Sequence, residues 1–483
     1  MKLLHQKPDS GILLRDKSAP ALLWQQPQQG QSGVKLQWAF VGLYIFTILL
    51  YARPGDWIPG FASISMIKII TIFTVLCYLG AKIARDEQLS IWPIELKMLL
   101  LILALGILFI PIAQSKEASL DALADPFIQV IIIFTLLVNV IDSREKLLAL
   151  LKLIVICGTV ISIGAIRSLL IGQLFKGRIE GIVGGMFQNA NDLATAINIL
   201  VPLALALAMT SKGMIRVMYY TCAAMMAAGV FATFSRGGFL GFGALITVVF
   251  WKLRLRHRVL PVAAALLVIL MLLLIIPGGP GSKLSQKMME HKDKTESVDD
   301  RVEVLTRGIN VVSAHPVIGV GMGNFYLYSR HDLKAHNSYL EILAELGVIG
   351  FAAYITLLIA PLRSLKKLEL ETCKADEPEV IERFYLSLGL HASIASYVVC
   401  SAFSSIQYHW FVYYPMAFAI ALRGIHANST NNSAEQVETL FSDFKVKPRQ
   451  VRLPGILWGH TTFPGQNTNA TPERLLKSKR IEF

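Results

Sequence analysis

The sequence predicts an all-α integral membrane protein of about twelve transmembrane helices, with one large loop on the outer side of the membrane. Three observations carry that reading. Of 483 residues, 54% are hydrophobic and only 16% charged, against about a quarter charged in soluble domains. The apolar residues fall into runs of bilayer length, and the mean hydropathy is +0.54. Lysine and arginine alternate between successive short loops, which fixes sidedness.

A membrane-crossing helix needs about 20 largely apolar residues. Such runs cover 34–51, 61–81, 94–113, 126–141, 147–171, 192–209, 215–233, 237–251, 259–276, 339–362, 384–403 and 410–425. The fourth, eighth and twelfth are short. The organisation that follows is a polar tail over 1–35, nine spans over 36–276, an outer loop over 277–337, three spans over 338–425 and a disordered tail over 426–483. The first residues lack the continuous apolar core of a signal peptide, so the first span reads as an uncleaved anchor.

Five alternate short loops hold fifteen basic residues, among them Lys82, Arg85, Arg144, Lys146, Lys212, Arg216, Lys252, Arg254 and Arg383. The intervening short loops hold five: Arg53, Lys116, Lys176, Arg178 and Arg236. The positive-inside rule places the first set and both termini in the cytoplasm. The net charge of +13 is spread between apolar runs and not over one face. It points to anionic membrane lipids as neighbours and away from nucleic acid. Four cysteines (Cys77, Cys157, Cys222, Cys400) lie in apolar segments and Cys373 in a charged loop. No pair reads as a disulfide, and no spacing reads as a metal site.

The outer loop opens on a breaker, Pro277-Gly278-Gly279-Pro280-Gly281. Beyond it, Val302, Leu305, Ile309 and Val312 recur at helical spacing after Asp299 and Asp300 as capping candidates. This predicts an amphipathic helix packed on the membrane face of the protein. No repeat of 20–50 residues occurs, and nothing suggests the broken helices of many transporters.

Candidate chemistry clusters on the outer side. Lys334-Ala335-His336-Asn337-Ser338-Tyr339-Leu340-Glu341 leads into an apolar span, and Ser338 with Glu341 three residues later fits a capping box. His336 then faces the unpaired N–H groups of a helix start, where a further positive charge is disfavoured. A neutral imidazole there can take a proton from a hydroxyl. The alternative is a capping or interfacial histidine without chemistry.

Phe234-Ser235-Arg236-Gly237-Gly238 joins two apolar runs with almost no loop. Arginine at that depth is costly unless it meets a partner or a wet cavity. Its fixed donors suit phosphate. The alternative is an arginine snorkelling to lipid head groups. Arg301 reads as a second anion ligand or as half of a surface salt bridge. Lys176-Gly177-Arg178 adds another outer arginine. The stretch Gln188-Asn189-Ala190-Asn191-Asp192 supplies amides for sugar hydroxyls, although Asn191 and Asp192 are favoured as helix caps.

The alternating glycines of His315-Pro316-Val317-Ile318-Gly319-Val320-Gly321-Met322-Gly323-Asn324-Phe325 lack the Lys-Ser/Thr end of a phosphate loop, so they read as a structural turn. The carboxylates show no metal-ligand spacing. A reaction without metal or cofactor is the default expectation.

Taken together, Gly177-Arg178, Ser235-Arg236-Gly237-Gly238, Asp300-Arg301, His315-Pro316-x-x-Gly319-x-Gly321-x-Gly323-x-Phe325 and His336-Asn337-x-x-Leu340-x-x-x-x-Glu345-x-Gly347 resemble the O-antigen ligase/polymerase family over about residues 175–360. The resemblance implies a bacterial inner-membrane glycosyltransferase of GT-C-type architecture, with its active site and large loop in the periplasm. It implies a glycan donor carried on undecaprenyl diphosphate. The acceptor would be lipid A-core, a second repeat unit or a protein hydroxyl, with lipid A-core favoured. By the same resemblance His336 is the base or acceptor-positioning group. Arg236 and Arg301 hold the donor diphosphate, with Arg178 a weaker match. Asn337, Ser338, Glu341 and Glu345 support and orient the helix. The reading from another class is a flippase for lipid-linked glycans, and a third is an envelope scaffold.

Overall fold

The computed structural model describes residues 33–52, 66–171, 174–175, 178–179, 189–254, 298–329 and 335–443. The predicted span at 259–276 and the breaker at 277–281 lie outside them. The helices are α1 (Gly33–Ala52), α2 (Met66–Ile83), α3 (Ile94–Leu108), α4 (Lys116–Ala122), α5 (Ile128–Val140), α6 (Arg144–Leu170), α7 (Ala190–Thr210), α8 (Gly213–Ala232), α9 (Arg236–Leu253), α10 (Val298–Ala314), α11 (Phe325–Tyr328), α12 (Ser338–Thr372), α13 (Pro378–Cys400) and α14 (Tyr414–Asp443). The strands among the described residues are β1 (Leu174–Phe175) and β2 (Arg178–Ile179), an antiparallel pair with Phe175 opposite Arg178.

The protein is a polytopic all-α membrane protein. Among the described residues, eight helical segments are long and apolar enough to cross a bilayer: α2, Ile94–Ile112, Lys116–Val140, α6, α7, α8, α9 and α12. Of the four other runs that hydropathy predicts, 259–276 lies outside the described residues and three fall on α1, α13 and α14. α1 is 20 residues long, and Leu36–Tyr51 within it is apolar. α13 and α14 are more polar because they are interior helices with little lipid to face. Ser393 Oγ of α13 donates to Ile199 O at 2.7 Å and Ser396 Oγ to Gly241 O at 3.0 Å. Met416 to Leu422 of α14 are all buried. α14 also continues past the predicted boundary of a disordered tail, running through Asn428 to Asp443.

α7 is the hub. It is apolar on every side, the signature of a helix enclosed by others, and it packs on α6, α8, α9 and α13. Helices at the periphery instead expose large apolar side chains such as Ile69, Leu76, Met214 and Val217. All five cysteines are free. Residues Met1–Asn431 form one compact unit and Asn432–Phe483 a second. Within the first unit, charged residues gather at one end of the helices. Arg144 makes two bonds of 2.6 Å to Glu382, Lys252 pairs with Glu369, and His391 lies 3.1 Å from Glu369. The starts of α7, α9 and α12 and the end of α13 gather at the other.

Three predictions about the loop and the helix after it are corrected. α10 starts at Val298, so Asp299 and Asp300 lie in its first turn and not ahead of it. The face of α10 that packs on the protein is Val304, Gly308 and Val311, whereas Val302, Leu305 and Ile309 are exposed. α12, expected as an unbroken span, changes course at Gly347 (φ 64°, ψ −169°). Only glycine fits there. The left-handed backbone disfavours a side chain, and a Cβ would sit 2.0 Å from Val317 O. Carbonyls freed by the break are taken up by the 315–324 loop. Val320 N donates to Ala344 O and Gly321 N to Glu345 O, both at 2.9 Å. The glycine-rich motif is therefore a structural turn that fills the break, with Gly319, Gly321 and Gly323 all at positive φ.

Candidate active site

The Arg236 motif begins α9. Ser235 is the N-cap: its hydroxyl accepts from Gly238 N at 3.0 Å and donates to Asn191 Oδ1 of α7 at 2.7 Å. Arg236 follows as the first helical residue, and its side chain is exposed. The backbone beneath it is held tightly. A Cβ on Gly237 would lie 2.6 Å from Phe403 Cβ, and Cys400 Sγ sits 3.6 Å from Gly237 O. Asn198 Nδ2 donates to Gly238 O at 2.7 Å. Glycine at 237 and 238 thus lets α9 close on α7, the end of α13 and the segment after it.

His336 stands at the entrance to α12, half-buried. Its N-cap is Asn337, whose Oδ1 accepts from Tyr339 N at 3.0 Å and Leu340 N at 3.1 Å. The predicted capping box is therefore one residue out of register. Ser338 lies inside the helix, and its hydroxyl serves a tertiary contact, donating to Ser404 O at 2.7 Å and accepting from Ile406 N at 3.1 Å. Asparagine caps as well as serine does, and the seam with residues 401–406 takes Ser338 out of the competition. Ser338 N also donates to Ser401 O at 2.8 Å.

Both motifs share a backbone device. Phe234 and His336, each just ahead of its N-cap, are non-glycine residues in the left-handed region with φ of 50°. Such a conformation costs on the order of 1–3 kcal/mol and persists only where the surroundings enforce it. In both cases it turns the chain sharply into a helix.

Glu341 and Glu345 do not cap α12. Glu341 accepts from Ser405 Oγ. Glu345, 1% exposed, accepts from Tyr408 OH at 2.9 Å and from Phe325 N at 3.3 Å. Burial, reinforced by Glu345, pushes the Tyr408 phenol well above its ordinary range, so it stays a donor. The Tyr408 ring stacks edge-on against Phe127 with centroids 5.5 Å apart. Glu345 therefore ties three segments together: the start of α11, α12 and the connection after α13.

The structure brings the Arg236 and His336 motifs onto one common element, residues 401–406. Phe403 abuts Gly237, and Ser401, Ser404 and Ile406 bond Ser338. Arg178 is placed in β2 and Arg301 in α10. What their side chains do lies outside the described residues. Asn189, not Asn191 or Asp192, caps α7: its side chain accepts from Asn191 N at 2.9 Å. Residues that sequence reasoning missed are Ser401, Phe403, Ser404, Ser405 and Tyr408. The available signal was a serine- and aromatic-rich link, Ser401 to Tyr408, between two apolar runs. Among the described residues no group of three or more His, Cys, Asp or Glu is placed to hold a metal ion.

Fold and site define a polytopic membrane protein whose polar candidate residues collect where three helices begin and one ends. Residues 221–355 match the O-Antigen ligase family, the family that the motifs resemble. The match runs from α8 to the middle of α12 and takes in Arg236, Arg301, His336, Asn337, Ser338, Glu341 and Glu345. Arg178 precedes it, and the 401–406 element follows it. No curated protein matches the chain.

Proposed function

We propose that this protein transfers a glycan from undecaprenyl diphosphate to an acceptor hydroxyl at the periplasmic face of the bacterial inner membrane. Lipid A-core is the favoured acceptor, in a GT-C-type architecture with both termini cytoplasmic. The observation that supports it best is the shared anchoring of the Arg236 and His336 motifs on residues 401–406. One motif offers a guanidinium, whose planar fork of donors is suited to a diphosphate. The other offers an imidazole suited to a hydroxyl proton.

In the reaction, the acceptor oxygen forms a bond to the anomeric carbon as the bond from that carbon to the diphosphate oxygen breaks. The hydroxyl proton passes to His336. The electron pair leaves with the diphosphate, whose charge Arg236 stabilises, with Arg301 and Arg178 as further ligands. Losing one preorganised stabiliser of this kind costs about 10²–10³ in rate. Direct attack opposite the leaving group inverts the anomeric centre, and no step calls on a metal.

Repeat-unit polymerase and protein O-oligosaccharyltransferase share this chemistry and differ in acceptor. One observation bears on the flippase reading: the break in α12 at Gly347. Broken helices of transporters line a substrate cavity, whereas here the freed carbonyls are occupied by Val320 N and Gly321 N, which favours the transferase. The test is purified protein with an undecaprenyl-diphosphate-linked glycan, EDTA, and three acceptors: lipid A-core, a second lipid-linked glycan and a hydroxyl-bearing peptide. Transfer to one acceptor with inverted configuration supports the reading and names the subclass. A retained configuration rules out single displacement, and no transfer to any acceptor removes the enzyme reading.

A further inference from the structure

α10 carries two apolar faces, and protein covers one of them. At about 100° per residue, its side chains divide into three sectors roughly 120° apart. The first is Val304, Gly308 and Val311. Val304 and Val311 are buried with Phe325 and Ala344, and a Cβ on Gly308 would lie 2.6 Å from Leu340 Cδ2. The second is Val302, Leu305 and Ile309, which are 56%, 45% and 52% exposed. The third is polar: Glu303 and Arg307 pair at 2.8 Å, and Thr306, Asn310 and Ser313 are exposed beside them.

This division suits a helix that rests on protein along one edge, on lipid along the next and in water along the third. The surroundings extend the middle sector's chemistry. Just beyond α10, Val317 and Ile318 are exposed, as are Val348 and Ile349 of α12. The two pairs adjoin, because Val348 N donates to Pro316 O at 2.9 Å. Val348 and Ile349 belong to the outer surface of a membrane-crossing helix, so an apolar surface runs from the span up to the segment that directly follows α10. A second copy of the chain is a poor occupant: three aliphatic side chains fall far short of the ~800 Å² per partner of a stable interface.

We infer that α10 is an interfacial helix that immerses Val302, Leu305 and Ile309 in the boundary between head groups and acyl chains of the bilayer. Its partner is the lipid surface. The insertion holds the backbone of Arg301, one residue before the stripe, at head-group depth. This stands apart from the transfer reaction and survives a different activity.

The test uses full-length protein in nanodiscs of phosphatidylethanolamine and phosphatidylglycerol. A photoreactive benzoylphenylalanine replaces Leu305 or Ile309, and Thr306 or Asn310 as controls one residue away on the polar sector. After irradiation, mass spectrometry reads lipid adducts on the protein. The expected result is about tenfold more lipid adduct at Leu305 and Ile309 than at Thr306 and Asn310. Equal yields at the four positions overturn the inference, as do cross-links from Leu305 or Ile309 to another segment or a second copy. All four substitutions are at exposed positions. If a labelled protein is nonetheless misfolded by size exclusion, the photoreactive residue is moved in full-length protein to Val302 and, as its control, to Arg307 on the polar sector. More lipid adduct at Val302 than at Arg307 supports lipid insertion, and equal yields contradict it.

Discussion

Gly237 and Phe403 meet where a side chain on the glycine would begin: a Cβ there would lie 2.6 Å from Phe403 Cβ and 3.2 Å from Phe403 Cγ. The contact fastens the start of α9, and Arg236 with it, to the same short segment that receives Ser338. It follows that Gly237→Ala destabilises the protein by about 1–3 kcal/mol and lowers activity. Because the collision is with Cβ, adding Phe403→Ala does not relieve it, whereas adding Phe403→Gly does. Thermal-shift measurements on the two double variants separate the outcomes.

Glu345 accepts from Tyr408 OH and Phe325 N inside the protein. Glu345→Ala strands both donors, at about 1–3 kcal/mol each. Tyr408→Phe alone costs about 1 kcal/mol, and in the Glu345→Ala background it costs less or stabilises. A double-mutant cycle on melting temperature reads this coupling. Strict additivity would mean that the two residues act separately.

Asn337 holds the first turn of α12 through two backbone amides. Asn337→Ala is expected to cost about 0.5–2 kcal/mol, and Asn337→Asp close to nothing. Ser338→Ala leaves the cap in place but removes the bonds to Ser404 O and Ile406 N. It is therefore expected to reduce activity more than Asn337→Asp does. Paired thermal-shift and transfer assays check the order.

Gly347 is the least replaceable of these positions. A Cβ would meet Val317 O at 2.0 Å, a backbone atom that cannot rotate away, at a φ of 64°. Gly347→Ala is expected to abolish recovery of folded protein, while Gly243→Ala in α9, where a Cβ would meet nothing within 4 Å, leaves folded protein recoverable. Yield of monodisperse protein after size exclusion tests the pair.

How much of this was legible in the sequence differs from element to element. Lipid-facing helices such as α2 and α8 follow from hydropathy because bilayer contact demands apolar residues all along them. α13 and α14 were also readable, as the runs 384–403 and 410–425, although their neighbours are protein and Ser393, Ser396 and His391 are tolerated there. In α10 the periodicity was readable but not the choice between two apolar faces. The choice depends on Phe325 and Ala344, which no local pattern names. The Asn337 cap was missed by one residue because Ser338 is the better local match and its true partner, Ser404, is 66 positions away. The motifs of Arg236 and His336 were visible as sequence, but the 401–406 segment that joins them contains no motif.

The most direct test of the account separates donor binding from turnover. Wild type, His336→Ala and Arg236→Ala, each verified as folded by size exclusion, are reconstituted in nanodiscs. Each is assayed for binding of an undecaprenyl-diphosphate-linked glycan and for single-turnover transfer to the acceptor that wild type accepts. The account predicts that His336→Ala binds donor as wild type does but transfers about 10²–10⁴ more slowly, and that Arg236→Ala loses both. Transfer by His336→Ala at the wild-type rate, or undiminished donor binding by Arg236→Ala, would contradict it.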